Sequence, residues 1–141
     1  MIMAFNGYLI KIGGSNGVVL PLEYIKLSGY NSTPNQRMES EAERAVTGLL
    51  HRTTVEHTAT KVEFTTPMMT NLEVATMMTM FRSAWTSTAE RKLDLEYYDE
   101  ETDSYKTGTF YMPDIKFSID HIDRALNLIY YGETRIAFIE Y

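Results

Sequence analysis

The chain has 141 residues, a formal net charge of -6 at pH 7 and no cysteine. This length predicts one domain that buries a core without covalent staples, and the missing cysteine excludes disulfides and thiolate metal sites. The acidic balance argues against binding to a phosphate backbone, which needs clustered Lys and Arg. Residues 1–7 lack the features of a signal peptide, and no stretch approaches the roughly 18 apolar residues that span a bilayer, so we expect a protein made soluble in the cytoplasm with no membrane partner.

The N-terminal segment reads as a β-hairpin. Tyr8–Ile12 and Val18–Leu20 have strand character, and Gly13–Gly17 between them is typical of a turn. The glycines are as dense as in a phosphate-binding loop, but they lack its spacing and no helical pattern follows. Tyr24–Tyr30 is then expected to be extended.

A polar arm or loop is predicted at about residues 34–50. Pro34 and Asn35 indicate a turn, and Gln36–Val46 is rich in charge and poor in apolar residues. Such a segment is either a solvated loop or an arm that becomes ordered on a neighbouring subunit. The residues of this candidate inter-subunit arm are Arg37, Met38, Glu39, Glu41, Glu43, Arg44 and Val46.

One amphipathic helix is predicted from Asn71 to about Thr86. With its capping residue it covers about residues 70–86. Gly48–Thr53 and the alternating strand Thr58–Thr65 lead into it. Thr70 and Glu73 form the T-x-x-E capping box. The apolar face is expected to pack on a sheet rather than form a methionine-lined binding groove. It consists of Val74, Met77, Met78, Phe81, Ala84 and Trp85.

The segments after the helix read as strands. Lys92–Tyr98 alternates apolar and charged residues, as a half-buried antiparallel strand does, and returns through an acidic turn into Tyr105–Met112. The acidic turn lacks the pattern of a calcium loop. Ile115, Phe117 and Ile119 also alternate with polar residues, and Leu126–Tyr131 follows.

The last segment, Thr134–Tyr141, is an apolar strand of low charge. An open edge of this kind tends to aggregate, so we expect it to pair within the sheet or with another subunit. The residues of this candidate edge strand are Arg135, Ile136, Phe138, Ile139 and Tyr141. The whole pattern predicts a single α+β, mainly β domain over residues 1–141: an antiparallel β-sandwich or barrel with one amphipathic helix packed on the sheet.

No catalytic chemistry is indicated by the sequence. His51, His57 and His121 are scattered without the spacing of a zinc motif, and no G-x-S-x-G nucleophile elbow occurs. We therefore predict no catalytic, cofactor-binding or metal site and no enzyme activity. The ten tyrosines suit half-buried strands and subunit interfaces alike.

Three local sequences carry a resemblance to a known group of proteins. They are A-F-N-G-Y-L-I-K-I-G-G at Ala4–Gly14, H-x-A-T-K-V-E-F-x-T-P at His57–Pro67 and T-R-I-A-F-I-E-Y at Thr134–Tyr141. They resemble small prophage proteins encoded among the tail-assembly genes of Gram-positive phages. The order of elements also resembles the tail-tube fold, which tube proteins, distal tail proteins and baseplate hub rings share.

The resemblance implies a virion protein whose copies form a ring, with six as the expected number, in the tail tube or its distal end. Its sheets would join around a channel through which DNA passes without specific binding, other tail proteins would be its partners, and Gln36–Val46 would contact a neighbour. It implies no catalytic residue. The alternative left open by the residues is a monomeric ligand-binding module or small enzyme of α+β fold, whereas a tail-assembly chaperone should be more helical.

Overall fold

The computed structural model describes residues 5–44 and 50–141, with the backbone alone for residues 37–44 and 50–57. Its helices and strands are, in order, β1 (Ile10–Ile12), β2 (Val18–Val19), a 3-10 turn (Leu22–Tyr24), β3 (Lys26–Arg44), β4 (Leu50–Thr65), β5 (Met69–Thr70), α1 (Asn71–Ala84), β6 (Lys92–Asp99), β7 (Ser104–Tyr111), β8 (Ile119–Asp123), β9 (Leu128–Tyr131) and β10 (Arg135–Glu140). The predicted class, α+β and mainly antiparallel β, is confirmed.

The strands form two sheets, and all pairings among the described residues are antiparallel. The large sheet has the order β2-β1-β6-β7-β10-β4-β3, and the small sheet has the order β5-β9-β8. Neither sheet closes into a barrel, so the closed form of the prediction is not found. The large sheet ends in two open edges, β2 and β3.

The large sheet nevertheless curls strongly. β2 and β3 lie six strand spacings apart, which is about 29 Å in a flat sheet at about 4.8 Å per spacing. The seven-residue step from Val19 to Lys26 spans at most about 25 Å. The link also passes through the core, because Leu20 and Ile25 are buried. The two edges must therefore approach each other around the core.

The core lies between α1 and the concave face of the large sheet. Alternate residues of β6, β7 and β10 point into it, as strand geometry requires. Phe81 of α1 meets Phe138 of β10 with ring centroids 5.8 Å apart, at an edge-to-face angle of 78°. The fully buried side chains include Met77, Phe81, Leu93, Leu95, Phe110, Ile136 and Phe138.

Helix α1 follows its sequence signals closely. The hydroxyl of Thr70 accepts the N–H of Glu73 at 3.3 Å, and the Glu73 carboxylate accepts the N–H of Thr70 at 3.2 Å, which confirms the capping box. The helix ends at Ala84, two residues before the prediction, because Trp85 takes an extended conformation. No helix in the described part of the chain has the length and apolar character needed to cross a bilayer.

Of the predicted arm or loop, the described residues 36–44 continue β3 and pair with β4, so the loop alternative does not hold for them. Thr58–Thr65 and the described part of Gly48–Thr53 belong to one uninterrupted strand, β4, while residues 45–49 lie outside the described part. Backbone pairing needs no apolar side chain, so the polar composition did not reveal this strand. Ile115 and Phe117 also lie outside strands, and the local strand starts at Ile119.

The terminal strand was predicted as a candidate edge, and this assignment is wrong. β10 lies between β4 and β7: Arg135–Ile139 pair with β4, and Ile139 and Glu140 pair with β7. The N–H of Tyr141 donates to Thr109 O at 3.0 Å. Ile136 and Phe138 are completely buried, and such side chains are best accommodated at the centre of a sheet. The expectation of pairing within the sheet is confirmed.

Candidate assembly surfaces

The most prominent feature is the part of the β3–β4 hairpin that extends beyond the rest of the large sheet. Strand β10 accompanies β4 only from Thr65 to Lys61. Beyond this point β3 and β4 pair only with each other within the described part of the chain, from Gln36↔Ala59 to Arg44↔Leu50. We call residues 36–44 and 50–59 the arm. At about 3.3 Å per residue it extends roughly 30 Å past the sheet.

All candidate arm residues that the structure describes lie on β3. Five have direct partners across the ladder, four of which are Arg37↔Thr58, Glu39↔Thr54, Glu41↔Thr53 and Glu43↔His51. Arg44 pairs with Leu50, and Met38 lies at a shift in register between Arg37 and Glu39. Val46 lies outside the described residues.

A polar network joins the arm to the body at its base. Asn35 adopts a left-handed conformation, with φ of 53°, where the ladder shifts register between Thr33 and Gln36. Its N–H donates to the Thr60 hydroxyl at 3.1 Å, and its Nδ2 donates to Asp99 Oδ2 at 3.1 Å. The Thr60 N–H donates to Glu140 Oε1 at 2.8 Å. Side chains from β10 and from the end of β6 therefore hold both strands of the arm at its base.

Asp99 is the centre of this network and is completely buried. Lys106 Nζ lies 2.6 Å from its Oδ2, and the Glu101 N–H donates to its Oδ1 at 2.9 Å. Burial alone would raise the pKa of Asp99, but the hydrogen bonds from Lys106, Asn35 and the Glu101 N–H bring it below its ordinary value. The hydrogen bond between Lys106 and Asp99 also raises the pKa of Lys106. Asp99 is therefore an anion at neutral pH, and the network fixes the base of the arm.

The convex face of the large sheet, opposite the core, is polar. Register puts Asp94 beside Thr109 and Glu96 beside both Thr107 and Lys11. Charges of both signs occur on this face: Lys11, Lys61, Lys92 and Arg135 lie among Glu63, Asp94 and Glu96. The acidic excess of the chain is therefore not concentrated there.

The small sheet carries an exposed apolar face at its open edge. Register places Ile119 beside Tyr131 and Ile122 beside Ile129, and a bulge between Ile119 and His121 keeps the two isoleucines on one face. Both are 57% exposed. Phe117, whose ring contacts Tyr131 edge-on, is 39% exposed, and Leu126 is 64% exposed. We call Phe117, Ile119, Ile122 and Leu126 the small-sheet patch.

One cleft of about 340 Å³ opens on the convex face. It lies between the glycine turn of the β1–β2 hairpin and Asp94, Thr107 and Thr109. Gly13 and Gly14 have φ of 99° and 91°, which curves the turn over β6 and confirms the predicted hairpin. The Asp94 carboxylate accepts the Thr109 hydroxyl at 3.0 Å. In the described part of the chain no group of three or more His, Asp or Glu side chains is arranged to hold a metal ion.

Sequence reasoning missed the network at the base of the arm and the small-sheet patch. Asn35 was read as a turn residue, although asparagine's tolerance of the left-handed region is equally consistent with a bulge inside a strand. Asp99 and Asn35 are 64 positions apart, so no local pattern could join them. His121 is exposed and stacks on Tyr130 at 4.5 Å, as expected for a surface histidine.

The fold and these surfaces define a mainly antiparallel β domain with one helix on its core side and a long two-stranded arm. A family model described as "Family of unknown function (DUF6711)" matches residues 3–141, and the chain belongs to this family. No curated protein and no solved structure matches the sequence.

Proposed function

We propose that copies of this chain form a ring that is part of a bacteriophage or prophage tail, either in the tail tube or at its distal end, and that encloses the channel for DNA. The mature protein is then a virion component, synthesised in the host cytoplasm. The observation that carries the proposal is the arm, and the sequence resemblance to phage tail proteins supplies its context.

The arm needs a partner for physical reasons. A two-stranded ribbon is at best marginally stable in water, because it buries little surface for the backbone entropy that it loses. This arm carries five charged residues in its first strand alone, and no other strand among the described residues pairs with it. Packing against a neighbouring copy would remove the arm from water and offset its ordering cost.

The two faces of the large sheet also suit a ring. Helix α1 covers one face, and the other carries hydroxyl and paired charged side chains. Each copy also leaves the edges β2 and β3 of this sheet open, and pairing with a neighbouring copy would cover an open edge. The polar face could then border a water-filled channel, where mixed charges offer a passing polyanion no continuous basic surface.

Shortening the arm tests the proposal. Residues 37–58 are replaced by Asn-Gly, a dipeptide that closes a two-residue hairpin between the paired residues Gln36 and Ala59. Light scattering coupled to size exclusion, with electron microscopy, should find rings for the wild type and monomers with unchanged core signals for the shortened protein. Thr79→Ala, on the exposed face of α1, is the control and should still form rings.

A wild type that stays monomeric at high concentration, with or without tail proteins of the same phage, would contradict the proposal. The cleft beside Asp94 would then favour the alternative, a monomeric ligand-binding module. Its volume is near the lower end of known ligand sites, and its lining offers hydroxyl groups and one carboxylate.

A further inference from the structure

We infer that strand β8 pairs antiparallel with β8 of a second copy of this chain about a two-fold axis, and that this contact covers the small-sheet patch. The contact is isologous, because the same surface serves both copies. It therefore goes beyond the proposed ring, in which each copy contacts its neighbour through two different surfaces. It joins two free copies or the facing copies of two rings, and it does not depend on the arm.

Strand β8 is an edge strand with an apolar face. It is the last strand of the small sheet, no other strand in the described part of the chain pairs with its outer side, and four of its five residues are exposed. The face that carries the two isoleucines of the patch continues through Tyr131 to Met69, which is buried. The patch is thus the uncovered end of an apolar layer that begins in the core. A second β8 would extend the sheet and this layer together.

The bulge in β8 favours one register for this pairing. A two-fold axis perpendicular to a sheet keeps each face on its own side, so residues that pair across it must lie on the same face. Because of the bulge, Ile119 and Ile122 share one face, whereas Asp120 and His121 lie on the other. Pairing Ile119 with Ile122 of the second copy satisfies this condition along the strand. A shift by one or two residues in either direction puts an isoleucine opposite a residue of the other face.

The side chains that meet in this register are complementary. Ile119 packs beside Ile122 of the second copy, and the symmetry repeats the contact, so the two patches form one apolar surface. On the other face the Asp120 carboxylate, a hydrogen-bond acceptor, lies opposite the His121 ring, and this contact also occurs twice. Within one copy these two groups are already 2.6 Å apart. A shift by two residues would instead oppose Asp120 and Asp123, and like charges in direct pairs are destabilising.

The area of the contact suits a weak dimer. The four apolar side chains of the patch are exposed by 39% to 64%, which at about 150–250 Å² per large side chain is on the order of 400 Å² per copy. Interfaces that bury less than about 1,200 Å² in total are typically transient. Two free copies therefore separate on dilution, so the arm-shortened protein still runs as a monomer on a size-exclusion column. Contacts repeated between two rings would strengthen one another.

Cysteine cross-linking tests the register, because the chain has no cysteine of its own. Full-length Ile119→Cys and Ile122→Cys proteins, one with a tag that separates heterodimers on a non-reducing gel, are mixed at high concentration and oxidised. Directly paired residues have Cα atoms about 4.5–5.5 Å apart, a separation that a disulfide bridges. We expect at least tenfold more heterodimer than homodimer. Leu27→Cys mixed with Ile122→Cys is the control and should give no excess, since Leu27 on β3 is 61% exposed and Ile122 57%.

Exchanging the polar pair provides a second measurement. Asp120→His, introduced into both cysteine proteins, puts two imidazole rings opposite each other and should lower the yield of heterodimer about fivefold. Adding His121→Asp restores a carboxylate opposite an imidazole with the positions exchanged, so the yield should return to within twofold of its original value. Both positions are exposed, so circular dichroism should show an unchanged fold.

The outcomes separate this inference from the proposed function. Equal yields of heterodimer and homodimer, an equal yield with Leu27→Cys, or no rescue by the exchanged pair would overturn the β8 contact. Rings without the cross-link would also overturn it and leave the ring intact. The cross-link without rings would support the β8 contact and contradict the ring, whereas a monomeric wild type without the cross-link would overturn both.

Discussion

At the scale of single residues, the base of the arm depends on a few polar side chains. Asn35 takes a conformation that few residues other than glycine tolerate, and its side-chain amide donates to the carboxylate of Asp99 at the end of β6. Thr60 makes several of these contacts, since its hydroxyl accepts from Asn35 and its N–H donates to Glu140. These contacts replace ladder hydrogen bonds where the register shifts, so they determine how the arm leaves the sheet.

Asp99→Asn should destabilise the folded protein in a pH-dependent way. The native pKa of Asp99 lies below its ordinary value of 3.8, so its stabilisation is complete above about pH 5 and is lost as the pH falls through the native pKa. At pH 7 the substitution should lower the free energy of unfolding by about 1–3 kcal/mol, because Lys106 and Asn35 lose a charged acceptor. Urea unfolding at pH 7, 4 and 2.5 measures the difference, which should shrink toward acid.

A matched control is Asp120→Asn, which changes an exposed carboxylate that is paired with His121. Its effect at pH 7 should stay below about 0.5 kcal/mol, as for most surface ion pairs. A pH-independent loss for Asp99→Asn would show that packing, and not charge, holds the base of the arm.

At the scale of elements, β10 is the strand at the centre of the core. It joins the β6–β7 hairpin to β4, and its inward residues meet α1. Helix α1 is defined locally by its capping box, and its exposed threonines and serine satisfy their hydroxyls on carbonyls four residues earlier, as Thr79 does on Ala75 at 2.8 Å. The helix therefore needs only its apolar face to dock.

Phe138→Ala should cost about 3–5 kcal/mol in the free energy of unfolding, the usual range for a fully buried phenylalanine. The side chain is completely buried against Phe64 and Phe81, so its removal leaves a cavity. Phe117→Ala, at a partly exposed position of the small-sheet patch, is the control and should cost less than about 1.5 kcal/mol. Thermal and urea unfolding measure both, and equal costs would contradict the central position of β10.

At the scale of the whole molecule, the chain combines a compact body with features that its own residues do not complete. The curled sheet keeps two open edges, the arm leaves the body, and the small sheet presents apolar side chains to water. Isolated domains usually limit such surfaces, because open edges and apolar patches favour association. Association of copies would complete all three at once.

Hydrogen exchange can detect such association of copies. In the dissociated protein, the amides of Glu39–Arg44 should exchange faster than those of β6 and β10, since the arm pairs with only one strand on one side. In assembled rings the same amides should become at least tenfold more protected, whereas the β6 amides should change little. Mass spectrometry of both forms provides the measurement, and unchanged arm protection would argue against packing of the arm on a neighbour.

Much of the local structure was predictable from the sequence alone. Periodicity and residues close in the chain predict the strand character of β6 and β10, the glycine turn, the capping box and the buried face of α1. These features depend on contacts within about one turn of helix or one hairpin. The sequence also distinguished the segment after Pro34 by its polar composition, although it did not indicate its strand structure.

Only the tertiary structure decided which strands are neighbours. Alternation in β10 shows that one face is buried, but it does not say whether the backbone pairs on one side or on both. The same limit hid the pairing of polar β3 with β4, the Asn35–Asp99 contact and the separation of β8 and β9 into a second sheet. A side-chain pattern reports which face meets the core, whereas the choice of hydrogen-bond partner depends on segments far away in the chain.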